Sequence, residues 1–374
     1  MSKTSAADLL QQVGQLLILG FDGLEIGGHL RGALSAIQPG GVILFARNIE
    51  SPSQTWKLLR DAQDTCTEPL FLCVDLEGGT VDRLKNVIAP APSVETVFAT
   101  GNRKLWRMHG NILGLEARAL GFNTDFAPVF DLGLPPSRSV LTSRTASADP
   151  KKVVAYAKEI LRGLKEARIL GCGKHFPGLG EANLDTHHEL PSIDKPWKKL
   201  WAEDLLPYRE LKRQIPFVMV AHACYPSVTK DSLPASLSKK WIQDILRAKI
   251  GYRGLIISDD LEMGGVLAAG PIEEVAVETL RAGADMFLIC HNLELVERAH
   301  EAVLVQAGRD RKFAAHVAQA ARRVMAFKKR AKELRGFAAE PKAKVVEHLK
   351  AIMGRFSELT ASETISRTSP EVPA

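Results

Sequence analysis

Residues 254–305 read GLIISDDLEMGGVLAAGPIEEVAVETLRAGADMFLICHNLELVERAHEAVLV. The runs 255–259 and 286–291 are short and almost continuously apolar, each ending on polar residues. Between and after them apolar residues return at intervals near 3.6, the helical period. A strand without alternation is buried on both faces, which implies a parallel sheet covered by helices. The stretch is therefore two strand–helix units. Matching runs stand upstream at 16–21, 41–45, 70–75, 123–131, 169–175 and 217–222, with helical spacing at 51–62, 103–120, 150–167, 196–212, 238–248, 271–282 and 292–305. Eight units predict closure into a (β/α)8 TIM barrel. An open dinucleotide-binding sheet would carry G-x-G-x-x-G after its first strand, and nothing there fits.

A chain of 374 residues can hold such a barrel with extensions. A basic helix is expected at 311–334. Beyond Gly336 follow an amphipathic stretch at 342–356 and a final ~15 residues whose composition reads as disordered. The expected division is a catalytic barrel over 1–337 and a helical, partly disordered tail over 338–374. With 45% hydrophobic and 25% charged residues, the composition is that of a soluble globular protein. Forty-nine Lys+Arg against 43 Asp+Glu leave a net +6, and the densest basic run is interleaved with Ala, Val, Met and Phe. That pattern is a solvated helix face, so no nucleic-acid partner is expected. Five scattered cysteines, four in apolar runs, fit buried free thiols in a reducing compartment. The N-terminal apolar stretch is broken by Gln11, Gln12 and Gln15, so neither a signal core nor a membrane span is read there, and the expected location is the cytoplasm.

In a barrel the chemistry gathers at the C-terminal ends of the strands. The runs end in Asp75 with Glu77 and Arg83 beyond, in Asp125 and Asp131 with Arg138 and Arg144 following, in Lys174-His175, in His222, in Asp259-Asp260 and in His291. Any one acid there can be a helix cap and any one arginine its counter-ion. Together, carboxylates and cationic donors suit a polyhydroxylated ligand, whose hydroxyls each take one polar group. In the Gly-rich loop 174–191, Asp185 stands two residues before His187 and can fix its tautomer, making an acid/base dyad. A metal site of His175, His187 and His188 lacks an H-E-x-x-H or cysteine pair, so neither metal nor cofactor is expected. Of Asp259 and Asp260, adjacent on a strand, only one is expected to face the pocket.

These motifs have a likeness. GGVILFARN apart from its first Gly at 40, DLEGGTVDR (75–83), FAPVFD (126–131), KHFPGLGEANLDTH (174–187), AHACYP (221–226), PASLS (234–238), GLIISDDLEM (254–263) and AGADMFLICHN (282–292) resemble the β-N-acetylglucosaminidases of glycoside hydrolase family 3, the NagZ type of peptidoglycan recycling. The resemblance implies a retaining enzyme with Asp259 as nucleophile and His187 as proton donor and base, oriented by Asp185. It also implies that Asp75, Arg83, Arg144, Lys174 and His175 hold the N-acetylglucosamine ring. The implied substrate is a muropeptide of the GlcNAc-anhydroMurNAc-peptide kind; the sequence itself does not give the oligomeric state, for which a monomer is the expectation. Around Arg144 the family's G-[DE]-R-S-F is replaced by Thr142-Ser143-Arg144-Thr145-Ala146. Leu179 replaces a usual His, Thr80 an Arg, and Glu262 a small residue. The alternatives are a β-glucosidase or glycoside phosphorylase of the same superfamily, and a non-catalytic glycan-binding barrel.

Overall fold

The computed structural model describes residues 6–186 and 189–368. Among these, the strands in chain order are β1 (Leu17–Leu19), β2 (Gly41–Ile43), β3 (Phe71–Val74), β4 (Leu76–Gly78), β5 (Val81–Asp82), β6 (Thr124–Asp125), β7 (Cys172–Phe176), β8 (Phe217–Val220), β9 (Leu255–Asp260) and β10 (Met286–Ile289). Strands β4 and β5 form a separate antiparallel hairpin. The other eight make one parallel sheet ordered β6-β3-β2-β1-β10-β9-β8-β7. Its two edges meet through parallel bridges at Thr124–Leu170 and Val129–Lys174. The Asp125 N–H donates to Leu170 O at 2.8 Å and the Phe130 N–H to Lys174 O at 2.6 Å. The sheet is a (β/α)8 barrel, each apolar run contributing one strand. Run 123–131 keeps only two residues of regular strand, since Pro128 has no N–H to give to a ladder.

The helices depart from expectation in several places; Ala6–Gly14 and Val94–Ala99 are two that the apolar spacing does not predict. The helix Gly28–Ile37 was not read from the sequence, because it opens on two glycines and has no side-chain cap. The stretch 196–212 is broken into Trp197–Ala202 and Leu206–Leu211, with Pro207 opening the second piece. The C-terminal helix runs from Ala343 to Thr368, well past 356 and into the part expected to be disordered. Val346, Leu349, Met353 and Phe356 are buried, so an apolar stripe docks it, and Asn102 Nδ2 donates to the Glu363 carboxylate at 3.0 Å.

Helix Arg311–Arg330 closes the N-terminal mouth of the barrel. Phe327 packs against Phe217 with the rings tilted and 5.6 Å between centroids. Lys328 reaches inward, donates to Gln15 Oε1 at 2.7 Å and lies 5.1 Å from the Phe71 ring. Burial pushes its ammonium down to about 7. The unfolded chain holds that proton up to its ordinary value of 10.5. Between pH 7 and 10 the unfolded state therefore binds more protons, and stability must rise with pH by at most about 1.4 kcal/mol per unit. Below pH 7 both states are protonated and the burial cost is fully present. Lys328→Met is expected to abolish this slope in urea midpoints measured from pH 7 to 10, while the loss of the donor to Gln15 limits any net gain. A slope unchanged in the variant would assign it elsewhere.

Candidate active site

Asp75, Arg83, Arg144, Lys174, His175, Asp185, Thr186, Asp259 and Asp260 line one cavity of about 180 Å³ at the C-terminal end of the barrel. They come from the ends of β3, β5, β7 and β9 and from the loops after β6 and β7. Seven of the eight residues expected at the site are thus brought together. The eighth, His187, lies outside the described residues, as does His188.

At the centre is a buried network of opposite charges. Lys174 Nζ stands 2.7 Å from Asp75 Oδ1 and 2.6 Å from Glu77 Oε1. Arg144 grips Glu77 with two parallel bonds, Nε to Oε2 and Nη2 to Oε1, both 2.8 Å. Burial opposes ionisation of Glu77, but Arg144 and Lys174 outweigh it and hold the carboxyl far below the usual range. Burial likewise opposes the charge on Lys174, and Asp75 and Glu77 reverse the effect and raise its pKa. Glu77 thus fixes two cations that would otherwise repel across a dry pocket. Glu77 belongs to the polar residues beyond the third run but not to the expected ring-holding set, because its partners lie far along the chain.

His175 is fixed from behind. Its Nδ1–H donates to Asp131 Oδ2 at 2.6 Å, which leaves Nε2 for the ligand side. Asp131 Oδ1 also accepts the Leu179 N–H at 2.7 Å. The loop is anchored there through backbone, so leucine serves at that position. His222 does not line the cavity. Its Nε2–H donates to Asp260 O at 2.9 Å and its Nδ1 accepts from Ser236 Oγ at 2.8 Å, which pins the end of β9 from below. Asp125 faces the hairpin instead, accepting the Leu76 N–H at 2.9 Å, and Arg138 is exposed away from the cavity.

Both Asp259 and Asp260 line the cavity, contrary to the expectation that only one would. What separates them is what holds each carboxylate. Asp260 Oδ1 accepts the N–H groups of Cys290 at 3.2 Å and Glu262 at 3.0 Å, while Oδ2 stands 3.6 Å from His291 Nδ1. Among the described residues, Asp259 Oδ1 takes only the Asp260 N–H, at 2.9 Å. Burial alone would raise the Asp259 carboxyl, but His175, His222, the Asp260 N–H and Lys174 together hold it below the usual range. Glu262 accepts the N–H groups of His291 and Asn292 and so ties the β9 end to the start of the helix Leu293–Arg309 that follows β10. Among the described residues, Asp260, Glu262 and His291 at the rim are also the group whose spacing could admit a metal ion.

The site is therefore an ionised, desolvated carboxylate facing a pocket of fixed charges. Residues 9–327 match the family described as glycosyl hydrolase family 3 N terminal domain. A β-hexosaminidase of Bordetella avium is 40% identical over 266 residues, 69% of this chain and 75% of the relative. One from Idiomarina loihiensis is 35% identical over 280 residues, covering 74% and 84%. Among solved structures, a glycoside hydrolase family 3 β-N-acetylglucosaminidase from Paenibacillus superposes with TM-score 0.87 at 33% identity, covering 94% of this chain and 68% of that one. NagZ from Neisseria gonorrhoeae, in complex with N-trifluoroacetyl-D-glucosamine, gives TM-score 0.73 at 28% identity, covering 93% and 97%. On its motifs, its closed barrel and these matches, the chain belongs to glycoside hydrolase family 3.

Proposed function

We propose that the protein is a retaining exo-β-N-acetylglucosaminidase that removes terminal β-linked N-acetylglucosamine from peptidoglycan fragments. The observation that carries this reading is Asp259: an ionised, half-buried carboxylate at the strand end that lines the cavity and, among the described residues, accepts one hydrogen bond. Asp259 attacks the anomeric carbon and displaces the aglycone, forming a glycosyl ester that water then cleaves. His187, oriented by Asp185, protonates the departing oxygen and afterwards takes a proton from that water. A histidine suits both tasks, since its ordinary pKa near 6.5 needs no raised carboxyl. Asp75, Lys174, Arg144, Arg83 and His175 hold the sugar hydroxyls and acetamido group. The names of the relatives and the glucosamine derivative bound by the Neisseria enzyme support the choice of sugar. Among the described residues no helix is long and apolar enough to cross a membrane. A monomer acting on soluble muropeptides in the cytoplasm completes the reading.

The test is direct comparison of an aryl β-N-acetylglucosaminide with the matching aryl β-glucoside, with and without inorganic phosphate. The first is expected to be preferred by at least about a hundredfold, because polar groups set for the acetamido group go unpaired with glucose. Phosphate should leave the rate unchanged. Comparable glucoside turnover would favour a β-glucosidase, and release of a sugar 1-phosphate a phosphorylase.

A further inference from the structure

The helix Ala343–Thr368 lies beyond the stretch that matches the family, 9–327. Its buried stripe rests on the helices Val94–Ala99 and Arg103–Ala119. At the deepest point the Phe356 ring lies flat on His109, with centroids 5.6 Å apart and planes 15° from parallel. His109 is buried, and burial holds its imidazole neutral by pushing its pKa down to about 3. Its Nδ1 pairs with the Tyr156 hydroxyl at 3.2 Å, while Nε2 has no hydrogen-bond partner among the described residues. The ring is therefore placed largely by packing.

Against His109 sits Gly78, the end of β4. A Cβ added there would stand 3.1 Å from His109 Nε2 and 2.3 Å from Pro92 O, and the residue has φ +88°. Only glycine lets the hairpin settle so closely on the imidazole. The residue before it is Glu77, whose carboxylate holds Lys174 and Arg144. Tyr156 closes the loop, since its hydroxyl, already disfavoured from ionising by burial, also feels the Glu77 charge. Contact thus runs unbroken from Phe356 through His109 and the Gly78 backbone to the cations of the pocket.

We infer that the C-terminal helix is a positioning element of the sugar site, with Phe356 setting the β4 hairpin through His109 and so fixing Glu77 and its two cations. The inference rests on the reading that Lys174 and Arg144 hold the sugar ring. The competing view is that the helix only covers apolar surface of its neighbours, in which case it contributes stability alone. Displaced ring-holding groups weaken ground state and transition state alike, which raises KM and spares kcat.

In the full chain, Phe356→Ala is expected to raise KM for an aryl β-N-acetylglucosaminide, and the inhibition constant of free N-acetylglucosamine, about tenfold, with kcat within about twofold. Phe356→Leu should fall between the variant and the parent. Neither constant depends on what fraction of the preparation is folded, so a lowered Tm cannot mimic the result. Lys174→Ala is measured beside them. If it raises KM and Phe356→Ala does not, the helix has no part in the site. If Lys174→Ala leaves KM unchanged, the ring-holding reading fails first and takes the proposed route with it. Should Phe356→Ala not fold, Phe356→Leu and Phe356→Met keep apolar volume without the flat stack, and parental constants in both would overturn the inference.

Discussion

Asp259→Asn is expected to lower kcat/KM for an aryl β-N-acetylglucosaminide by about ten-thousandfold or more, because the amide keeps the shape of the carboxylate and loses the negative charge that makes its oxygen a nucleophile. The structure favours this residue over its neighbour on particular grounds. Asp260 is committed to the N–H groups of Cys290 and Glu262 and turned toward His291. Among the described residues Asp259 accepts one N–H, and it is held ionised, against the effect of burial, by His175, His222, that N–H and Lys174. A 5-fluoro-N-acetylglucosaminyl fluoride destabilises the oxocarbenium-like transition states and prolongs the glycosyl ester. It should label the parent protein once, with the label mapping to the peptide bearing Asp259, and the Asn variant should stay unlabelled. A label on Asp260, or an inverted anomer as the first product by NMR, would sink the retaining mechanism drawn here.

The barrel was readable because parallel strands buried on both faces leave unbroken apolar runs, and polar residues that end such runs stand out against them. That contrast is why Asp75, Lys174, His175 and Asp259, all of which line the cavity, stand out in the sequence. What could not be read is carried by partners distant in sequence. Glu77 and Arg144 are 67 residues apart and His175 and Asp131 are 44 apart, and no local pattern pairs them. Closure follows from the eight units, but the contacts that make it between β6 and β7 were equally hidden, since they are isolated bridges around Pro128 rather than a regular ladder. The tail misled for the opposite reason. Its polar composition beyond 356 describes the solvent side of a helix whose other side packs, as the buried Thr360 and the Asn102–Glu363 bond record. Composition averages over faces, and a single docked helix defeats the average.

His187→Ala tests the other half of the chemistry. The residues flanking it are seated beside the β9 end: the Gly265 N–H donates to Thr186 O at 3.1 Å, and a Cβ on Gly265 would stand 2.8 Å from Glu189 O. Asp185 and Thr186 line the cavity that holds Asp259. An acid placed at that cavity matters in proportion to the basicity of the departing oxygen. For a disaccharide or muropeptide aglycone, which leaves as a strongly basic alkoxide unless protonated, kcat/KM is expected to fall by about 10²–10⁴. For a dinitrophenyl leaving group, which needs no proton, the same step should change by less than about tenfold. The alkaline limb of the kcat/KM profile should disappear with the histidine, since the group that must be protonated is gone. Asp185→Ala should repeat the pattern more weakly, because it removes the partner that orients the ring rather than the ring itself. Equal losses on both leaving groups, with the alkaline limb retained, would show that His187 binds the sugar or shapes the loop, and would require another proton donor within reach of Asp259.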